Sequence, residues 1–224
     1  MCGRYGLGHP ARLGTLPFGT ALPEIAARFN ITPSSDVLLV REIAGARHAV
    51  LARWGLVPYW ASDPTIGHRL ANARGDTVAT KPAFRDAFAQ RRALIPADFF
   101  YEWQAVTGQK AKHPWCIRAP DGEPFAFGAI WEQWTPRQPQ AQTSLISCAI
   151  ITTEPNEVMR PIHDRMPVIL APDDYAAWLN PRTTVAAAQS LVRPYAGALE
   201  AYRVSTRVNA PRTDDAECCR PLQQ

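Results

Sequence analysis

Residues 93–103 read ALIPADFFYEW, an apolar run of strand length that ends in four aromatic residues around a single glutamate. Apolar runs that are rich in β-branched or aromatic residues and bounded by Pro, Gly, Asp or Asn are typical of β-strands. Similar runs occupy residues 37–41, 49–57, 114–119, 124–132, 144–153 and 166–170. The sequence therefore predicts a protein that is built mainly from strands.

Helical periodicity is limited to a few short stretches, which are residues 22–29, 82–91, 173–179 and 185–192. Pro82 and Pro172 stand where a helix often begins, because the first helical residue does not need its backbone N–H. Strands outnumber helices and do not alternate regularly with them, so the sequence favours an α+β fold over a doubly wound one. We expect one domain over residues 1–224, with a mostly antiparallel, barrel-like sheet flanked by short helices.

The composition is that of a globular protein, with 46% hydrophobic and 20% charged residues. No apolar stretch approaches the roughly 18 residues that a membrane-spanning helix needs. The N-terminus also lacks the basic and then apolar layout of a secretory signal. We therefore expect a cytoplasmic protein with no membrane partner.

The five cysteines form no CxxC pair, which argues against a zinc site and against a disulfide framework. Cys116 and Cys148 lie inside apolar runs and are expected to be small core residues. The sequence contains neither a metal-binding motif nor a nucleotide-binding loop, so we expect no metal and no cofactor. Cys218 and Cys219 lie in a tail, residues 216–224, to which the sequence assigns no role.

Arginine dominates the basic residues: it accounts for 21 of the 24, and the formal net charge is +4. Guanidinium groups hold phosphates in a forked geometry and stack on rings. A chain with this many Arg and seven Trp is therefore compatible with nucleic acid as a partner. A genomic base composition that favours Arg codons explains the same bias.

Two short stretches contain candidate acid–base residues. In a strand, Glu102 lies on the same face as Phe100 and on the opposite face from Tyr101 and Trp103. A carboxylate among rings is desolvated, which raises its pKa toward general-acid use; the alternative is an edge carboxylate that faces water. His163, in PIHDRMP, lies in a loop whose flanking prolines indicate a fixed turn, although a loop histidine is often only a surface group.

An arginine follows two residues after each of three potentially reactive side chains. The pairs are Cys2 and Arg4, Asn72 and Arg74, and His163 and Arg165. In an extended segment, residues two apart share a face, so the cations would surround the reactive groups. Such a ring suits a phosphodiester backbone.

Tyr59 and Trp60, in GLVPYWAS, are candidates for stacking on unpaired bases. The alternative is that both are core aromatic residues beside a turn.

Cys2 directly follows the initiator methionine, and three interpretations are open. It is a thiol on a loose chain end, a core thiol in a docked first strand, or a reactive terminal residue. If Met1 is removed, Cys2 offers an α-amine and a thiol on one residue, and no internal cysteine can do this.

The order and content of the motifs resemble the SRAP family, the abasic-site processing proteins once described as SOS-response-associated peptidases. The matching segments are MCGRY, FNITPSSDVLLV, RWGLVPYWASDP, ANARGDTVATKPAFRDAF, IPADFFYEW, PFAFGAIWE, IHDRMPVIL and VSTRVNAPRTDD. They extend from residue 1 to about residue 215. The chain departs from the pattern in the tail with Cys218 and Cys219, and slightly at Gly75 and Asp76.

The resemblance implies a sensor of abasic sites in single-stranded DNA that acts in the DNA damage response, at the nucleoid when engaged, while the sequence leaves the oligomeric state open and a monomer is expected by default. By the family pattern, Cys2 becomes the N-terminus and forms a covalent thiazolidine with the sugar aldehyde, with lyase and autoproteolytic activity as further expectations. The family pattern also implies roles for the remaining candidates: Asn72, Glu102 and His163 assist the reaction, Arg4, Arg74 and Arg165 hold phosphates, and Trp60 packs beside DNA.

Two other classes of protein fit part of the same pattern. An N-terminal-nucleophile amidohydrolase or peptidase also begins with a processed Cys-Gly, but it has no need of three cations around its thiol. A non-covalent single-stranded DNA-binding module would bind reversibly and without regard to the aldehyde.

Overall fold

The computed structural model of the chain describes residues 2–108, 110–136 and 144–222. These residues form thirteen strands and three short α-helices, joined by turns and 3-10 helices. The strands are β1 (Tyr5–Leu7), β2 (Arg28–Ile31), β3 (Asp36–Ile43), β4 (Ala46–Trp54), β5 (Asn72–Arg74), β6 (Arg92–Ala97), β7 (Phe99–Gln104), β8 (His113–Arg118), β9 (Phe125–Trp134), β10 (Leu145–Thr153), β11 (Met166–Pro167), β12 (Ile169–Leu170) and β13 (Glu200–Arg203). The helices are α1 (Arg85–Gln90), α2 (Tyr175–Leu179) and α3 (Val185–Ser190).

Five strands close into a barrel. Strand β3 pairs antiparallel with β4 and β6, β6 pairs with β9, and β9 pairs with β10. The ring closes where β10 runs parallel to β4, with Ser147 opposite Arg53 and Cys148 opposite Trp54. The predicted α+β fold with a mostly antiparallel, barrel-like sheet and short helices is confirmed.

A second sheet packs against the barrel, with the strand order β13-β8-β7-β1-β2 and only antiparallel pairs. Aromatic contacts join the two layers. The ring of Tyr5 lies 5.4 Å from that of Trp54 and 5.6 Å from that of Phe127, measured between ring centres in edge-on geometry. Phe100 on β7 also lies edge-on to Phe127, at 6.1 Å. Such pairs add directional preference to the burial of apolar area.

The run 93–103 forms two strands rather than one. It divides at Asp98, so that β6 belongs to the barrel and β7 to the second sheet. The backbone N–H of Asp98 donates to Gly6 O (2.9 Å), and its Oδ2 accepts from the backbone N–H of His9 (2.7 Å). These bonds to the first strand hold the chain at the corner where it passes from one layer to the other.

The helix predicted over residues 22–29 is wrong. Residues 21–27 have no regular structure, and β2 begins at Arg28. The backbone N–H groups of Phe29 and Asn30 both donate to Asp214 Oδ1, at 2.5 and 2.8 Å, and β2 pairs with β1, so distant partners hold this segment in an extended conformation. The other predicted helices form as the shorter α1, α2 and α3. Among the described residues, none of the helices has the length and apolarity needed to cross a membrane.

The cysteines divide between two cores. Cys116 and Cys148 are fully buried, which confirms their prediction as core residues. Cys218 is also buried and belongs to a smaller apolar cluster with Phe99 and Tyr101 on the outer face of the second sheet. The tail therefore packs on the domain through a 3-10 helix, Ala216–Cys219, while its role stays unassigned.

A buried arginine ties the barrel to the helices. Arg92, at the start of β6, is only 1% exposed and carries no salt bridge among the described residues. Its guanidinium donates instead to five backbone carbonyls at 2.5–3.3 Å, those of Phe88, Ala89, Trp178, Asn180 and Thr183. These acceptors lie in or directly beside α1 and α2, so one side chain satisfies carbonyl groups at the ends of both helices.

We expect Arg92→Ala to lower the free energy of unfolding by about 3 kcal/mol or more, because charge-assisted hydrogen bonds are lost and buried carbonyls are left without donors. Urea denaturation measures the change. Arg182→Ala is the control: this arginine is exposed beside the same segment, and its loss should change stability by less than about 0.5 kcal/mol. Equal effects of the two substitutions would contradict the structural role of Arg92.

Candidate functional site

Cys2 lies in the core and not on a loose chain end. Its side chain is fully buried, and its backbone carbonyl accepts a hydrogen bond from Asn72 Nδ2 at 2.8 Å. Burial raises the pKa of the Cys2 thiol, and the charge of Glu102 raises it further. The thiol is therefore protonated near neutral pH, and Cys2 is held in place by its backbone.

Asn72 is positioned by β5, a three-residue strand that runs parallel to β10. Ile150, Ile151 and Thr152 lie opposite Asn72, Ala73 and Arg74 respectively. Ala73 is fully buried, so strand alternation turns Asn72 and Arg74 to the other face. The Oδ1 atom of Asn72 is buried and has no hydrogen-bond partner among the described residues. A buried acceptor without a donor is costly.

Glu102 lies on the barrel-facing side of β7, as the alternation predicts, and is only 2% exposed. The alternative of an edge carboxylate facing water is therefore wrong. Burial raises the pKa of Glu102, and the nearby His163 partly opposes that rise. His163 Nε2 stands 3.8 Å from Glu102 Oε2.

A helical turn brings His163 to Glu102. The backbone N–H of His163 donates to Met159 O (2.9 Å), and Met159 is fully buried. Gln104, at the end of β7, donates through Nε2 to Pro161 O (2.8 Å). These bonds attach the turn to the strand that carries Glu102, so the prediction of a fixed turn is confirmed.

The ring of His163 has a defined orientation. The backbone N–H of Arg165 donates to Nδ1 at 3.0 Å, while Asp164 Oδ1 lies 2.9 Å from the same nitrogen. One nitrogen cannot accept from an N–H and donate to a carboxylate at once. Because the Asp164 side chain is 88% exposed, the backbone bond is the better defined, and in the neutral ring it leaves the hydrogen on Nε2, facing Glu102.

Arg74 and Arg165 meet on one surface through a shared carboxylate. The Arg74 guanidinium donates two hydrogen bonds to Asp76, from Nε to Oδ1 at 3.2 Å and from Nη2 to Oδ2 at 2.6 Å. Arg165 Nη1 stands 4.0 Å from Asp76 Oδ2, and its Nη2 donates to Thr152 O and Oγ1, at 2.5 and 3.0 Å. Burial, followed by the like charge of Arg74, lowers the pKa of Arg165.

Arg4 is directed into the protein. Its Nη1 donates to Val208 O (2.7 Å) and to Asn30 Oδ1 (3.0 Å), and its guanidinium carbon lies 5.7 Å from the centre of the Trp103 ring. Arg4 is thus partly engaged with the second sheet and the 3-10 helix Thr206–Asn209.

Trp60 lies on the loop after β4 and is 41% exposed, and its neighbour Tyr59 is 55% exposed. The alternative that both are core residues is therefore wrong. Trp60 lines a pocket with Ile66 and Arg69, so an exposed ring stands beside a cation.

The sequence alone assigns no functional role to two residues near Arg74 and Arg165, which are Thr152 and Asp76. Thr152 accepts hydrogen bonds from Arg165 and lies opposite Arg74, but its position at the end of an apolar strand gives no chemical signal. Asp76 stands out in the sequence only as a slight departure from the family pattern, although its spacing of two from Arg74 allows the two side chains to meet on a turn. Within the described residues, no group of three His, Cys, Asp or Glu side chains could hold a metal ion.

The chain belongs to the SOS response associated peptidase (SRAP) family, whose model matches residues 1–211. The Bacillus subtilis protein named abasic site processing protein YoaM is 44% identical over 196 residues, which are 87% of this chain and 85% of that protein. Abasic site processing protein HMCES of Pongo abelii is 30% identical over 230 residues, which are 87% of this chain and 65% of that protein.

The fold is similar to the crystal structure of a protein from Bacteroides thetaiotaomicron, with a TM-score of 0.86. The match covers 99% of this chain and 100% of that one at 21% sequence identity. At that identity the likeness concerns the fold alone. The family resemblance seen in the sequence is confirmed by the family model.

The raised pKa of Glu102 predicts a pH-dependent cost to stability. A carboxyl group whose folded pKa is raised binds its proton more tightly when folded, so its contribution is complete below the unfolded value of 4.5 and is lost as pH rises through the folded pKa. We expect Glu102→Gln to stabilise the fold more at pH 8 than at pH 4.5, measured by urea denaturation at both values. An equal difference at the two pH values would contradict this.

Proposed function

We propose that this protein captures abasic sites in single-stranded DNA by covalent attachment to Cys2 once Met1 has been removed. The observation that carries the proposal is the site around Cys2: Asn72 Nδ2 donates to the backbone carbonyl of Cys2, the Cys2 side chain is fully buried, and the buried Glu102 has His163 at 3.8 Å. The names of the relatives, abasic site processing proteins, support the same substrate.

The α-amine acts first and the thiol second. A terminal amine has a pKa near 7.7–8.0, so a useful fraction is neutral at physiological pH, whereas the raised pKa of the thiol keeps it protonated. The amine condenses with the sugar aldehyde to an imine and water leaves. The sulfur then adds to the imine carbon and its proton passes to nitrogen, which closes a five-membered thiazolidine with no change of oxidation state. Because both groups sit on one residue, the second step has a large effective concentration.

The buried Oδ1 of Asn72 is suited to the amine. Asn72 Nδ2 already binds the carbonyl of Cys2, so its Oδ1 lies in the same neighbourhood and lacks a donor among the described residues. An α-amine released at Cys2 supplies N–H donors to such an acceptor. Asn72 would then position the nucleophile rather than take part in bond changes.

Glu102 and His163 supply the proton transfers. A carboxyl group with a raised pKa is a competent acid for opening the sugar ring and for protonating the departing oxygen. His163 exchanges protons with Glu102 across the 3.8 Å gap, or takes a proton from the sugar if the strand is cleaved by β-elimination. Lyase activity and autoproteolytic removal of Met1 are further parts of this proposal.

Cations and an exposed ring would hold the strand. Arg74 and Arg165 lie on one surface next to the reactive cluster and suit two phosphates. Arg4 would contribute only through Nη2, because its Nη1 is bonded to the protein. Trp60 is exposed enough to stack on an unpaired base. We propose that the protein acts as a monomer at the nucleoid.

Substitutions at Cys2 test the chemistry step by step. With a single-stranded oligonucleotide carrying one abasic site, we expect wild type to give an adduct that survives heat and denaturant, seen as a shifted band on a denaturing gel. Cys2→Ala should abolish this stable adduct, because the sulfur is missing. Cys2→Ser retains the amine, so it should be trapped by borohydride but give no stable adduct without reduction.

Cys219→Ala is the matched control, because this other thiol is partly exposed and lies in the outer cluster; its adduct should equal that of wild type. Loss of the adduct in Cys219→Ala, or its persistence in Cys2→Ala, would assign the nucleophile elsewhere. Absence of any wild-type adduct together with glutamine hydrolysis would favour the amidohydrolase.

A blocked N-terminus separates binding from reaction. A variant with an uncleavable N-terminal extension should form no adduct, because its α-amine is displaced from Cys2, yet should bind intact single-stranded DNA within about twofold of wild type. Fluorescence anisotropy measures the binding, and the denaturing gel measures the adduct. Normal cross-linking by the extended protein would exclude the α-amine as nucleophile.

A further inference from the structure

Asp76 occupies the surface on which Arg74 and Arg165 meet. Its two oxygens accept both hydrogen bonds of the forked Arg74 guanidinium, and its Oδ2 is also the atom 4.0 Å from Arg165 Nη1. The side chains of Arg74 and Asp76 are 54% and 49% exposed. The hydrogen bond from Arg74 lowers the pKa of Asp76 to about 2, so the carboxylate stays charged under all conditions in which DNA is bound.

The geometry of Asp76 is that of an internal substitute for phosphate. A guanidinium binds a carboxylate and a phosphate with the same two parallel N–H donors. While Asp76 holds these donors, Arg74 cannot present them to a DNA backbone, and the local charge of the pair is zero. Arg165 is only 13% exposed and two of its contacts go to Thr152, so Arg74 is the more accessible cation of the two.

We propose that Asp76 is a specificity-determining residue: by occupying the phosphate-binding fork of Arg74, it weakens binding to intact single-stranded DNA and leaves stable retention to the covalent step at Cys2. The inference rests on the proposed function for the role of Arg74 as a phosphate ligand. Specificity is a difference between two affinities. Lowering lesion-independent affinity therefore raises discrimination, even when the reaction itself is unchanged.

The contact is suited to this role because it is displaceable. Exposed ion pairs contribute little to stability, since water screens both charges. When reaction at Cys2 has attached the DNA, a phosphate is held close to Arg74 and can replace Asp76 there. An intact strand that binds only transiently must instead compete with a carboxylate that is always present. The salt bridge between Arg74 and Asp76 thus weakens the binding of phosphate to Arg74 but does not prevent it.

Asp76→Asn tests the proposal, because it removes the charge and retains the shape and one acceptor oxygen. Anisotropy with an intact oligonucleotide, titrated between 50 and 200 mM KCl, measures affinity without any contribution from the aldehyde. We expect roughly fivefold tighter binding at low salt, and a plot of log K against log salt that is steeper by about 0.7, since Arg74 then neutralises one more phosphate.

Glu123→Gln is the matched control. Glu123 forms an exposed ion pair with Arg12, of 40% and 45% exposure, and its loss changes the net charge by the same amount without touching the cluster. Its salt slope should equal that of wild type. The double variant Asp76→Asn with Arg74→Gln should return the slope to the wild-type value, because the gain acts through Arg74.

A competition experiment measures how well the protein discriminates abasic DNA from intact DNA. An excess of unlabelled intact strand should reduce adduct yield more in Asp76→Asn than in wild type. Unchanged affinity and slope in Asp76→Asn, or the same gain in Glu123→Gln, would overturn the inference while wild-type cross-linking still upholds the proposed function. Conversely, if no variant forms an adduct but Asp76→Asn steepens the slope through Arg74, the covalent proposal fails, the role of Asp76 in discrimination falls with it, and only the masking of Arg74 by Asp76 stands.

Discussion

Side-chain alternation along β7 constrains everything that surrounds it. One face of this strand carries Phe100 and Glu102 toward the barrel, while the other presents Phe99, Tyr101 and Trp103 to the outer cluster. Because both faces are buried, a slip of one residue would place a carboxylate in the outer apolar cluster and rings where Glu102 stands. The register of β7 therefore determines, together, the packing of the two layers and the position of the acid at their boundary.

The cluster around Cys2 has the properties of a site that is kept at a cost to stability. A carboxylate is buried at 2% exposure, and Asn72 Oδ1 and Arg165 Nε are buried without hydrogen-bond partners among the described residues. Each of these opposes folding, and they converge on one place next to the exposed pair Arg74 and Asp76. Buried ionisable groups with perturbed pKa values that gather in one place are typical of functional sites.

Local chemistry was predictable where the sequence carried it in a single stretch. The alternation of FFYEW predicted the face of Glu102, and the prolines around His163 predicted a fixed turn. The helix expected over residues 22–29 is wrong because the chain enters β2 at Arg28, where β1 and the distant carboxylate of Asp214 hold it extended. No periodicity in the run 93–103 marks the passage from one sheet to the other, so the sequence predicts one segment there.

The sequence by itself determined the strand content, the inward face of β7 and the family, since local alternation and the order of the motifs carry these, and it named the candidate site residues. Only the tertiary structure decided that β10 closes the barrel against β4 and holds β5 at its edge. That closure joins Asn72 to Cys2, and the turn before His163 joins it to Glu102. The closure of the barrel also places the ion pair of Arg74 and Asp76 close to Arg165. Contacts between residues that are far apart in the chain, such as His163 with Glu102 and Asn72 with Cys2, depend on the folded path of the chain, and no local pattern records that path.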